Sequence, residues 1–181
     1  MFSYAGGVWD KSGFDSLTVG TVAYPVTRMV VVGEMIWCGT KNTIKILNPA
    51  SKDIEDTITV SSDEKRGILA IVEAGLGVWI AQQGSSSIRL LHATTHALLA
   101  EISLTSAVSK MLSGCDDIIR QHKTACLRVT ALMAVKDMLW VGTSAGVIAT
   151  LNLPHITATT TKLQNTPPLA GNTWKGIRKP K

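Results

Sequence analysis

Apolar residues along this chain come in short runs, and turn residues interrupt the pattern every five to seven positions. That rhythm leaves no room for a helix of ordinary length and reads as short strands joined by tight turns. The clearest instance follows Cys126. Arg128 to Val135 is an apolar run with β-branched members, and Lys136-Asp137 is a polar two-residue turn. Met138 to Gly142 is a second strand carrying Trp140, Thr143 to Gly146 turns again, and Val147 to Leu151 is a third strand. Apolar strands bounded by Gly and polar pairs are the hairpin signal.

The same unit occurs twice more. Met29 to Val32, Gly33-Glu34, Met35 to Gly39 and Thr43 to Leu47 form one copy. Ile68 to Val72, Gly75 to Gly77, Val78 to Ala81 and Ser87 to Leu91 form the other. Trp37, Trp79 and Trp140 hold the same place in each, on the second strand just after the turn. The first two are 42 residues apart and the second two 61, the same period plus an insertion of 19. A fourth strand fits the first two copies, at Ile54 to Val60 and Leu98 to Leu104. A period of about 40–45 residues with four strands per unit is the signature of a β-propeller blade. A four-stranded sheet cannot hide both faces alone, so blades stack around an axis and cover one another. The expected fold is therefore all-β: a partial, about three-bladed WD40-like β-propeller with four-stranded antiparallel blades and one short helix in an insertion. The three Trp are expected to pack between blades, since large aromatics dominate core energetics.

This divides the chain as follows. Residues 1–25 are a loop and the outer strand of a preceding blade, near Leu17 to Val19. Residues 26–60 are blade one, and 61–104 are blade two. Residues 105–126 are the insertion, and 127–153 are blade three, without its fourth strand. Residues 154–181 read as a disordered basic tail. A usual propeller has roughly 4–8 blades, so the chain is read as a piece of a larger protein. Within the insertion, Ser113-Gly114 is expected to cap a helix over Asp116 to Lys123. Asp116 and Asp117 would complement its positive end, Arg120 and Lys123 its negative end. Ile118 and Ile119 would pack it back on the blade. A long insertion on a rigid framework is a candidate partner-contacting loop, and Asp116, Asp117, Arg120, His122 and Lys123 are its candidate residues.

Charge sharpens this picture. Residues 1–153 carry thirteen Lys/Arg and thirteen Asp/Glu, so the net charge of +5 sits wholly in the tail. A neutral body with a basic end is not a nucleic-acid-binding face. No apolar run approaches the ~20 residues of a membrane helix, and no signal peptide is visible. Three cysteines, Cys38, Cys115 and Cys126, argue against a disulfide framework and suit a reducing cytoplasm. No catalytic motif, phosphate loop or dinucleotide fingerprint is present. His92 and His96, and the set Cys115, His122 and Cys126, lack the further ligands of a zinc site. No cofactor and no metal are expected, and the innermost strands offer almost no acids or His for an enzyme built around a central channel.

The run Ser113-Gly114-Cys115-Asp116-Asp117-Ile118-Ile119-Arg120-Gln121-His122-Lys123, followed by Cys126 to Leu132 and Leu139 to Val147, closely resembles the C-terminal propeller of Rho guanine nucleotide exchange factors. Gly77-Val78-Trp79-Ile80 with Ile88-Arg89-Leu90 and His92 resembles the whole propeller-bearing group of these factors. With Val108 to Leu112, the same stretch also resembles the JNK-interacting, leucine-zipper motor-adaptor scaffolds. The resemblance covers Val26 to Leu153. In that group, exchange on Rho-type GTPases is performed by a helical Dbl-homology domain with a pleckstrin-homology domain upstream of the propeller. It implies a non-catalytic interaction or regulatory propeller, tied to a Rho-family GTPase only through an exchange domain that this chain lacks. The setting it implies is Rho signalling to the actin cytoskeleton. No family binding residue carries over, and the protein partners are not identified by the resemblance.

Overall fold

The computed structural model describes residues 16–153 in full and the backbone of three short strands outside them. Two of these, β1 (Tyr4–Ala5) and β2 (Val8–Trp9), pair with each other. The body is three antiparallel four-stranded sheets. Blade one is β3 (Val26–Val32), β4 (Met35–Thr40), β5 (Thr43–Leu47) and β6 (Ile54–Thr59). Blade two is β7 (Ile68–Ala74), β8 (Gly77–Gln82), β9 (Ser87–His92) and β10 (Leu98–Ser103). The insertion holds α1 (Thr105–Met111) and α2 (Asp117–Ala125). Blade three is β11 (Val129–Val135), β12 (Met138–Thr143), β13 (Ile148–Asn152) and the two-residue β14 (Lys175–Gly176). In every sheet neighbouring strands are consecutive in sequence, so each blade is a meander. The strands β3, β7 and β11 are the ones that neighbour each other between sheets, which makes them the inner strands of an arc of three blades.

The period fixes the register. Trp37 lies opposite Val30 and Ile46, Trp79 opposite Val72 and Leu90, and Trp140 opposite Met133 and Thr150. The first turn of each blade places its leading residue in the left-handed region: Gly33 at φ 58°, Gly75 at 64° and Lys136 at 53°. Such a turn matches the twist of a two-residue hairpin. Blades one and two are joined through the Ile68 N–H, which donates to the Lys41 carbonyl at 2.6 Å. Blades two and three repeat the bond from Val129 N–H to the Ser85 carbonyl at 2.7 Å.

Burial follows the two joints. Trp37 is 1% exposed and sits between blades one and two with Ile71, Val78, Ile80 and Leu91. A side chain at Gly39 would press on Ile68 and Ile71 across this joint, with its Cβ 3.2 Å from both. Trp79 is 3% exposed and sits between blades two and three with Leu139, Val141 and Leu151. Leu104, Val108, Leu112 and Leu127 join this second cluster, so α1 closes the end of that joint.

Four expectations need correction. The insertion holds two helices, not one. The helix α1 rests on a stripe at Leu104, Val108 and Leu112, spaced four apart, whose burial gives it its stability. The cap of α2 is Asp116, not Ser113-Gly114: its carboxylate accepts the Ile118 N–H at 2.9 Å. Ile118 and Ile119 do not pack back on the blade, since they are 78% and 50% exposed and α2 buries no residue. Blade three has a fourth strand, Lys175–Gly176 pairing with Ala149 and Thr150, inside the segment read as a structureless tail. The rest of that segment lies outside the described residues, as does most of 1–15.

Candidate functional site: two unlike ends and an exposed helix

Among the described residues no group of His, Cys, Asp and Glu is placed to hold a metal ion. The imidazole of His92 is committed to its own turn, where Nδ1 accepts the N–H of Thr94 and of Thr95, each at 3.1 Å. His96, four residues on, instead reaches across the first joint. Its Nδ1 lies 2.6 Å from Asp56 Oδ2, and its ring stands edge-on to Trp37 at 5.4 Å between centroids. The Thr57 N–H and then His96 hold the Asp56 carboxyl below its ordinary value. The cysteines are free, and burial pushes the Cys38 thiol up.

Cations on the third strands of blades one and two tie each of these blades to the chain before it. Arg89 Nη1 donates to the Val60 carbonyl at 2.6 Å, and its Nε meets Glu101 at 3.2 Å. Burial alone would raise the Glu101 carboxyl, but hydrogen bonds from Arg89 and Ser87 outweigh it and hold the group down. Lys45 occupies the equivalent register position in blade one, opposite Cys38 as Arg89 is opposite Ile80. Its Nζ donates to the Val19 carbonyl at 2.6 Å. Residues 17–19, expected as the outer strand of a preceding blade, form no strand, yet Val19 stands toward blade one as Val60 stands toward blade two.

The two ends of the arc differ. Beyond blade one, Val19, Met29, Ile36, Cys38 and Leu47 line an apolar groove of about 780 Å³. On the far face of blade three, Met133, Val135, Trp140 and Ile148 lie on one side by register, all exposed except half-buried Trp140. Trp37 and Trp79 pack between blades, and beyond Trp140 there is no blade among the described residues.

The candidate contact residues of the insertion lie on or beside α2. Asp116, Asp117 and His122 are exposed, and Arg120 and Lys123 partly so. Arg120 pairs with Asp117 at 2.5 Å along the helix, and both remain open to solvent. The apolar pair Ile118 and Ile119, read as packing residues, is instead exposed to solvent beside them. Its signal was the absence of any apolar partner at i+3 or i+4, where Gln121, His122 and Lys123 stand.

Residues 1–162 match the family model described as WD40 repeated domain. The chain belongs to this WD40-repeat family. Rho guanine nucleotide exchange factor 17 of Mus musculus is 46% identical over 147 residues, 81% of this chain and 7% of that protein. C-Jun-amino-terminal kinase-interacting protein 3 of Mus musculus is 31% identical over 147 residues, 81% of this chain and 11% of that protein. The chain thus spans about a tenth or less of the length of these relatives. Among solved structures, the computationally designed Ika4 protein is similar with a TM-score of 0.49 at 15% identity, covering 71% of this chain and 66% of that one. No described helix of this WD40-repeat chain is long and apolar enough to cross a membrane.

Proposed function

We propose that the chain is a non-catalytic, protein-interaction segment of a propeller belonging to a Rho guanine nucleotide exchange factor, working in the cytoplasm. The observation that carries the reading is α2. It is a helix held on a rigid frame by α1, with no buried residue and with Ile118 and Ile119 in solvent. Large apolar side chains kept in water at one place mark interaction sites. The 46% identity to an exchange factor supports the parent protein type. The neutral charge of residues 1–153 argues for a protein partner over nucleic acid. Nucleotide exchange itself belongs to a helical domain outside these residues, so the isolated chain should not accelerate nucleotide release from a Rho-type GTPase.

The test is proximity labelling in cells with the wild type and the Ile118→Glu/Ile119→Glu double variant, after matching their circular dichroism. A discrete set of neighbours lost by the variant supports the reading, and an unchanged set contradicts it. The 31% identity to a kinase-interacting protein supports a second reading, a propeller of a JNK-pathway adaptor. The upstream coding sequence separates the two: a Dbl-homology bundle favours the first, a leucine-zipper coiled coil the second.

A further inference from the structure

The helix α2 is amphipathic in the reverse sense for a helix on a protein surface. Ile118, His122 and Ala125 follow the i, i+4, i+7 spacing of one helix side, and Ile119 and Cys126 lie along the same side. All five are exposed. The opposite side carries Thr124, whose hydroxyl oxygen is buried. A surface helix ordinarily turns its apolar stripe to the body and its polar side to water. This outward stripe is not an end of the arc. It belongs to the insertion between blades two and three, whose joint α1 closes, and blades added at either end of the arc would leave that joint as it is.

The charges around the stripe are one-sided. Of the two acids of the insertion, Asp116 caps α2 and Asp117 pairs with Arg120. Lys110, in the last turn of α1 where α1 contacts α2, makes no ion pair with an acid among the described residues, and neither do Lys123 and Arg128. Resting on the reading of α2 as a contact site, we propose that its partner is an acidic amphipathic helix of another protein. The partner's apolar stripe packs on Ile118 and Ile119, and flanking Asp or Glu meet Lys110, Lys123 and Arg128. A helix fits because α2 offers a row of side chains and no free backbone edge for an extended strand to join. Charge complementarity selects this occupant over two others. A second copy would bring the same cations to the contact, and residues 154–181 hold five Lys/Arg and no acid. Apolar anchors supply the affinity of such contacts, and charges choose among partners.

A peptide display library tests this with the 181-residue chain as bait. Its peptides carry Leu at i, i+3, i+4 and i+7 and random residues elsewhere, so the selection reads the flanking charge. The enriched peptides are expected to be rich in Asp and Glu beside the Leu stripe. Their affinity, by fluorescence anisotropy, should fall on the order of 30-fold with Ile118→Glu/Ile119→Glu. It should fall on the order of tenfold with Lys110→Glu/Lys123→Glu, and added salt should weaken the wild type more than this variant. Circular dichroism checks the fold of both. Enriched peptides with neutral or basic flanks would overturn this inference alone, and the proximity labelling would still decide whether α2 is a contact site. No enrichment, or binders indifferent to both double variants, would overturn it too. Vesicles of phosphatidylserine and phosphatidylcholine should retain the wild type and Ile118→Glu/Ile119→Glu alike. Retention lost in that variant would assign the face to a membrane, and self-association lost in it would assign the face to a second copy; either result overturns the proposal.

Discussion

The joint between blades one and two and the far face of blade three are built on one register, yet they behave differently. Trp37 and Trp140 both follow a two-residue turn and both face the direction of the next blade. Trp37 is enclosed by Ile71, Val78, Ile80 and Leu91, whereas Trp140 is half-buried beside exposed Met133 and Ile148. The same residue in the same strand position is core in one place and half-buried in the other. Burial in this fold is a property of the joint, which needs two sheets, and not of the blade. A repeat that cannot cover its own face depends on its neighbour for stability.

The comparison is broken most severely at its centre. Trp37→Ala should cost about 3–5 kcal/mol in denaturant unfolding, the usual range for a buried Trp truncated to Ala. Trp140→Ala should cost only about 1–2 kcal/mol at low protein concentration, since part of its surface already meets water. Equal losses at the two sites would show that blade three is covered as blade one is.

A smaller effect separates the cation clips. Arg89→Met removes a bond to the Val60 carbonyl and a partly exposed pair with Glu101, and should cost about 1–2 kcal/mol. Lys45→Met removes the matching bond to Val19 and, among the described residues, no pair with an acid, so its loss should be smaller. Thermal melts of the two variants side by side check the order.

The smallest effect is electrostatic. Asp56 bridges the first joint through His96, and nothing equivalent stands on the open face among the described residues. Its carboxyl lies below the ordinary value of 3.8 because the Thr57 N–H and His96 favour the charged form. A depressed carboxylate adds stability that is complete above 3.8 and is lost as pH falls through its folded value. The melting temperature of the wild type should therefore fall more steeply than that of Asp56→Asn as the pH drops below 3.8. The carboxylate is well exposed to solvent, so the difference should be slight.

The sheets were legible because their signals are local. Period-two runs, turn pairs and the spacing of Trp37 and Trp79 are written within a few residues of each strand. The helix α1 was harder, since Thr105, Ser106 and Ser109 dilute its apolar content and only the spacing of Leu104, Val108 and Leu112 betrays it. Ile118 and Ile119 misled for the opposite reason. Their composition suggests core, but both stand exposed on a helix that buries no residue. The groove beyond blade one could not be read at all from one blade. It emerges only when the Lys45–Val19 bond is laid over the Arg89–Val60 bond, and the repeat then names its walls. The strand Lys175–Gly176 carries too short a pattern to announce itself, and its pairing depends on the free edge of β13.

Hydroxyl-radical footprinting of the dilute chain, read by peptide mass spectrometry, tests the three-blade account most directly. The account predicts that Trp140 is oxidised readily while Trp37 and Trp79 are protected until the protein unfolds. Oxidation of Trp37 or Trp79 as fast as Trp140 would contradict it, because no joint would then stand where the register places one.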